Sequence, residues 1–74
     1  MAKDDLTRIV VQLSEADVRL LTLWARYHGR PRSTFAAQII ASRLEANIEV
    51  VRKLVTDFAA SKGLSFEELE QQWL

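Results

Sequence analysis

The chain has 74 residues, a formal net charge of zero, one histidine and no cysteine. A single domain of this length buries only about 60% of the surface of its unfolded chain, so self-association would add stability. The neutral charge argues against a nonspecific polyanion binder, and the lack of cysteine excludes disulfides and thiolate metal sites. Without an apolar run of membrane length or a leader segment, we expect a cytoplasmic protein with no cofactor, no metal and no membrane association.

The chain opens with a segment that alternates like a β-strand, residues 7–13 (TRIVVQL). Arg8, Val10 and Gln12 fall on one face, and the other face is apolar apart from Thr7. No second strand is predicted, so a partner strand must come from another molecule, and a two-fold dimer would pair two copies antiparallel. A guanidinium and a carboxamide on one face are groups that read base edges in the major groove.

The first helix is predicted over residues 15–28, because residues 14–17 (SEAD) form a capping motif. Its apolar residues spread beyond one face and include Trp24 and Tyr27. We expect these two aromatic rings to pack against other elements rather than to stack on bases. Gly29 supplies the left-handed position that often ends a helix.

The second helix is predicted to begin near Ser33 or Thr34, either of which can cap it. Its apolar spacing continues past Asn47, so periodicity leaves open whether the helix is continuous. We favour a break near Asn47, because helices longer than about 25 residues are uncommon. A capping box that starts at Ser65 predicts a last helix over residues 66–73.

This order of strand, capped helix, glycine-containing connection and second helix resembles the ribbon-helix-helix family of DNA-binding proteins, the MetJ/Arc and CopG-like repressors. The residues that carry the resemblance are 8–15 (RIVVQLSE), Ala25-Arg26, Gly29 and Arg32-Ser33. The resemblance implies a mainly α fold with one β-strand, as a ribbon-helix-helix intertwined homodimer plus a C-terminal helical extension. The implied organisation is a flexible N-terminal arm, the DNA-binding domain and the helical extension, at residues 1–6, 7–47 and 48–74.

The resemblance also implies how DNA is bound. A two-stranded antiparallel ribbon would enter the major groove, with Arg8, Val10 and Gln12 contacting bases. Phosphates would be held at the start of the second helix, by Arg30, Arg32, Ser33 and Thr34. The expected function is a sequence-specific transcriptional regulator, acting as a repressor on double-stranded DNA.

Residues 48–74 carry too many apolar side chains to leave in water, and their use is open. They could pack on the first helix, join dimers into tetramers on DNA, or bind another protein, as the C-terminal segments of many antitoxins bind toxins. The alternative function is therefore a helical protein-interaction module or an antitoxin. No nucleophile–base pair, phosphate loop or metal-ligand spacing indicates an enzyme.

Overall fold

The computed structural model of the chain describes residues 6–74. These residues form four helices, α1 (Glu15–Tyr27), α2 (Arg32–Ala46), α3 (Ile48–Ser61) and α4 (Phe66–Trp73). None of the four is long and apolar enough to cross a membrane. Most of the predicted arm, residues 1–5, lies outside the described part of the chain.

The predicted fold class, an intertwined ribbon-helix-helix homodimer with one β-strand, is wrong. Residues 6–74 are all-helical apart from turns and irregular segments, and residues 7–13 form neither a helix nor a strand. A strand is stabilised by ladder hydrogen bonds and by side chains that pack across a sheet, and no other segment within residues 6–74 forms a strand that could provide either. Alternating apolar residues were therefore not sufficient to define a strand.

The chain divides into two compact units. The N-terminal unit ends at Ala36, and its described part contains residues 6–14, α1 and the first turn of α2. The C-terminal unit, Ala37–Leu74, contains the rest of α2 together with α3 and α4.

Helix α1 has the predicted start and nearly the predicted end. Ser14 is the N-cap, and its Oγ accepts the Asp17 N–H at 3.1 Å. The helix ends in a Schellman turn, in which Gly29 has a φ of 68° and the Arg30 N–H donates to the Ala25 carbonyl at 2.9 Å. His28 is the C-cap residue, one position after the last helical residue.

Helix α2 begins earlier than predicted. The Phe35 N–H donates to the Pro31 carbonyl at 3.0 Å, so the helix starts at Arg32. Ser33 and Thr34 therefore lie inside the first turn, and the prediction that one of them caps the helix is wrong. A serine or threonine near a helix start signals the region correctly, but the first carbonyl that accepts an i+4 bond fixes the boundary.

The predicted break near Asn47 is confirmed. The Asn47 N–H donates to the Leu44 carbonyl at 3.0 Å, and its Nδ2 donates to the Arg43 carbonyl at 2.8 Å. The Asn47 carbonyl then accepts the Val51 N–H at 2.9 Å, which begins α3. A single residue thus separates α2 from α3, and its side chain satisfies a carbonyl that the helix end leaves without a partner.

Helix α3 ends as α1 does, and α4 begins as predicted. Gly63 has a φ of 73°, and the Leu64 N–H donates to the Ala59 carbonyl at 2.9 Å. Ser65 and Glu68 then form a complete capping box, because the Ser65 Oγ accepts the Glu68 N–H at 3.1 Å and Glu68 Oε1 accepts the Ser65 N–H at 2.8 Å.

The two units repeat the same small core. The N-terminal unit buries Ala25 and Phe35, and the C-terminal unit buries Ala59 and Leu69. In both pairs the alanine carbonyl accepts the Schellman bond, and the large apolar residue follows ten positions later, on the next helix. The pairs are 34 positions apart in the sequence, so one helix–turn–helix arrangement occurs twice.

Candidate nucleic-acid interface

The three predicted base-contacting residues lie on the irregular segment that precedes α1. Arg8, Val10 and Gln12 are all exposed, and Val10 has 87% of its surface accessible. The neighbouring apolar residues are less exposed, with Val11 at 54% and Leu13 at 48%. The side chains that could read bases are therefore accessible, although no sheet presents them.

The four predicted phosphate-contacting residues lie around the start of α2, and all of them are exposed. Arg32, Ser33 and Thr34 form the first turn of the helix, and their N–H groups precede the first intrahelical hydrogen bond. Such groups, together with the positive end of the helix dipole, suit an anion. Arg30 lies on the connection that leads into the helix.

Arg32 is tied to α1 through Thr22. Its Nη1 donates to the Thr22 Oγ1 at 3.2 Å, and the Thr22 hydroxyl donates to the Val18 carbonyl at 2.7 Å. A guanidinium has five N–H donors, so this contact orients Arg32 and leaves donors for an anion. The structure thus adds Thr22 as a positioning residue that sequence reasoning missed, because a contact between two helices has no local signal.

The two units differ in charge. The N-terminal unit, residues 1–36, contains six basic and four acidic residues, which gives a net charge of +2. Residues 37–74 contain four basic and six acidic residues, which gives −2. All of the candidate nucleic-acid contacts belong to the positive, N-terminal unit, and the neutral total conceals this difference.

Four aromatic rings form a cluster where α1 meets the start of α2. Phe35 contacts Trp24 edge to face at 5.0 Å between ring centroids, and it stacks on His28 at 5.3 Å with an interplanar angle of 28°. Tyr27 contacts His28 edge to face at 5.2 Å. Phe35 is buried, whereas Trp24 is 53% and Tyr27 84% exposed.

These rings are more exposed than the apolar pattern of α1 suggested. Trp24 packs on Phe35 as expected, but half of its surface stays accessible, and Tyr27 packs on little besides His28. The broad apolar arc of α1 predicted that both rings would be buried. The first turn of α2 covers only part of that arc. In the sequence, Arg26, Arg30 and Arg32 alternate with these aromatic residues, and clustered basic residues of this kind are typical of nucleic-acid-binding proteins.

The C-terminal unit has an apolar groove of about 230 Å³. It is lined by Leu44, Ile48, Val51, Arg52 and Phe66, and the Arg52 guanidinium lies 5.8 Å from the centre of the Phe66 ring. Ile48 and Val51 are each about half exposed, at 48% and 47%. The predicted extension therefore does not bury all of its apolar side chains within its own unit.

Comparisons with protein-family models, curated proteins and solved structures find no match to this chain.

Proposed function

We propose that the protein is a sequence-specific DNA-binding regulator of transcription, a repressor that acts as a homodimer in the cytoplasm without enzymatic activity. The observation that carries this proposal is the set of accessible side chains at residues 8–12, in a unit with a net charge of +2. The proposal concerns these side chains and does not require the sheet that the structure overturns.

Three side chains supply the base contacts. The Arg8 guanidinium matches guanine O6 and N7, and the Gln12 carboxamide matches adenine N6 and N7. Val10, at 87% exposure, offers an apolar surface for a thymine methyl. Each good bidentate pair contributes about 1–3 kcal/mol of discrimination, so two such pairs are enough to define a preferred site.

The start of α2 supplies the phosphate contacts. The Ser33 and Thr34 amides lie at the positive end of the helix dipole, and the Arg32 guanidinium, in the same turn, is held by Thr22 of α1. Arg30 adds a second guanidinium on the connection that precedes the helix. These phosphate contacts add affinity for DNA of any sequence. The side chains of residues 8–12 provide the preference for one base sequence.

Self-association is supported by apolar surface in the N-terminal unit. Ile9, Leu20 and Leu23 are each more than 60% exposed. A two-fold pairing of two copies would cover apolar side chains and would duplicate the DNA contacts. A dimer that reads two half-sites predicts a target made of two related short sequences.

The test is selection of randomised duplex DNA by the purified full chain at moderate salt. We expect enrichment of a short motif that occurs twice. The variant Arg8→Ala with Gln12→Ala should lose at least about 30-fold in preference for that motif over random duplex, because it removes two bidentate contacts. The control variant is Arg43→Ala with Gln71→Ala, which removes a guanidinium and a carboxamide from the C-terminal unit. It should keep the preference for the selected motif. A folded parent protein that enriches no motif would contradict the proposal.

A second candidate function is a helical protein-interaction module, of which an antitoxin is one form. The observation that favours it is the apolar groove of the C-terminal unit, together with the acidic α4 residues Glu67 and Glu70. A basic partner with an apolar side chain would complement both features. If duplex selection yields no motif while Val51→Asp abolishes a complex with a protein partner, this function replaces the regulator.

A further inference from the structure

We propose that two copies of the chain pair through the outer side of α1, which packs antiparallel on α1 of the second copy about a two-fold axis. The surface that makes this contact, the α1 apolar face, consists of Ala16, Leu20, Leu23, Trp24 and Tyr27. This inference rests on the homodimer of the proposed function and names its interface.

The spacing of these five residues places them on one side of α1. Leu20 lies four positions after Ala16 and three before Leu23, and Tyr27 continues the series after another four. Leu20, Leu23 and Tyr27 are 66%, 61% and 84% exposed, and Trp24 is 53% exposed. None of the five residues is charged. The α1 apolar face is therefore continuous and largely accessible.

The opposite side of α1 is the one that packs on α2. Ala25 is fully buried there, and the Thr22 Oγ1 accepts the Arg32 Nη1 at 3.2 Å. Trp24 lies at the border between the two sides, where its ring contacts the buried Phe35. Folding of the N-terminal unit thus uses only the edge of the α1 apolar face, and it fixes the indole of Trp24 before any partner binds.

The exposed area is large enough for a dimer contact. An aromatic side chain presents about 150–250 Å², so Trp24 and Tyr27 alone leave on the order of 300 Å² accessible. With Leu20 and Leu23 the α1 apolar face reaches the upper end of the patches that soluble monomers expose, about 300–600 Å², and patches of that size mark interaction sites. Two such faces in contact would bury up to about 1,000 Å², which is the lower bound of a specific interface.

The charges of α1 favour a second, antiparallel copy as the occupant. Glu15 and Asp17 lie in the first turn, and Arg26 lies in the last turn. Antiparallel pairing brings the acidic turn of one copy beside the basic turn of the other, whereas parallel pairing brings like charges together. The helix dipoles have the same preference. The remaining charged residue, Arg19, lies near the middle of the helix, so it does not decide the direction.

This arrangement has a consequence for DNA recognition. Helix α1 has 13 residues, so the starts of the two paired helices lie about 20 Å apart, at opposite ends of the pair. Each copy of residues 8–12 precedes a different end. The two-fold axis therefore predicts a duplex motif that is repeated in inverted orientation, with separate half-sites.

The first experiment measures the mass of the full chain over a range of concentrations by sedimentation equilibrium. Leu23→Lys should weaken dimerisation by at least about tenfold, because it places a charge in an apolar contact. Leu54→Lys is the matched control, since Leu54 lies on α3 and is 63% exposed, against 61% for Leu23. It should dimerise as the parent does. Circular dichroism checks that each variant folds.

Tyr27→Ala tests the end of the α1 apolar face. In the dilute monomer, Tyr27 contacts little besides His28, so its removal should leave the unfolding of the monomer nearly unchanged. It should still weaken dimerisation several-fold, because the ring lies in the interface. Unchanged dimerisation would overturn the interface.

Disulfide trapping tests the direction of pairing, because the chain has no native cysteine. Ala16 and Tyr27 are eleven positions apart, about 16 Å along the helix, and each faces the other across an antiparallel pair. Ala16→Cys and Tyr27→Cys should therefore cross-link when mixed and stay unlinked alone, since a disulfide needs Cα atoms within about 7 Å. Cross-linking of each variant alone, and none in the mixture, would reveal a parallel pair and overturn the proposal.

The interface and the regulator can fail separately. If the parent enriches a repeated duplex motif and Leu23→Lys remains a dimer, the regulator stands and the α1 interface is overturned. If Leu23→Lys dissociates the dimer and the parent enriches no motif, the α1 interface stands and the regulator is contradicted. A parent chain that is monomeric at every concentration, or equal dissociation of Leu23→Lys and Leu54→Lys, also overturns the interface.

Discussion

Trp24 and Phe35 pack edge to face with their ring centroids 5.0 Å apart, and this contact joins the last turn of α1 to the first turn of α2. An aromatic pair in this geometry contributes about 0.5–1.5 kcal/mol beyond the area that it buries. Phe35 also stacks on His28, so one buried ring holds two partly exposed ones. The candidate nucleic-acid surface of the N-terminal unit is built on this buried ring.

Replacement of Phe35 by alanine should therefore destabilise the protein strongly. Phe35 is 8% exposed, and its removal leaves a cavity beneath Trp24 and His28. We expect a loss of about 3 kcal/mol in the free energy of unfolding, measured with urea. Tyr27→Ala removes a ring that is 84% exposed and should cost less than about 1 kcal/mol. Equal losses in the two variants would contradict the assignment of Phe35 to the core.

The two Schellman glycines should resist substitution for conformational reasons alone. Gly29 and Gly63 have φ values of 68° and 73°, and an added Cβ meets nothing within 4 Å at either position. Alanine should cost about 1–2 kcal/mol at each site, because the left-handed conformation brings its Cβ close to the following carbonyl oxygen. Asparagine, which tolerates this conformation, should cost less. Chemical denaturation of the four single variants checks the order.

Loss of the Ser65 hydroxyl should weaken α4. The Ser65 Oγ accepts the Glu68 N–H, and alanine at a helix N-cap costs about 1 kcal/mol. Ser42→Ala is a matched control, because Ser42 is exposed in the interior of α2, where alanine is the better helix former. Ser65→Ala should lower the midpoint of thermal unfolding, and Ser42→Ala should leave it unchanged or raise it. The reverse order would contradict the role of the capping box.

Arg32→Ala should weaken duplex binding without changing the preferred sequence. A phosphate contact contributes equally to every sequence, so affinity for the selected motif and for random duplex should fall together. The slope of log affinity against log salt should decrease by about one. Arg43→Ala, which removes an exposed arginine near the end of the same helix, should leave both quantities unchanged. A loss confined to the selected motif would instead make Arg32 a base-reading residue.

Apart from the start of α2, the helix ends were predictable from sequence because their causes are local. Ser14, Gly29 and Ser65 each act through hydrogen bonds to residues three to five positions away. The break at Asn47 also depends on carbonyls three and four positions earlier. Capping signals that act over so few residues can be recognised directly in the local sequence.

The other features depend on contacts between separate segments of the chain, which a local sequence pattern does not reveal. Residues 7–13 alternate correctly for a strand, but a strand also needs a partner, and the fold class predicted from that alternation was wrong. The exposure of Tyr27 depends on how much of the α1 surface the next helix covers. The bond from Arg32 to Thr22 joins residues ten positions apart on different helices. The candidate base-contacting residues were chosen from the alternation and remain predictions.

The recurrence of the buried alanine, the left-handed glycine and the large apolar residue gives the chain a signature that can be sought elsewhere. Ala25, Gly29 and Phe35 have the same spacing as Ala59, Gly63 and Leu69. Each alanine is fully buried where the Schellman turn closes over it, so a larger residue there would force the turn open. The pattern is Ala-x₃-Gly-x₅ followed by phenylalanine or leucine, and it occurs twice, 34 residues apart. Other sequences with this repeated pattern are candidates for the same architecture, even where overall similarity is undetectable.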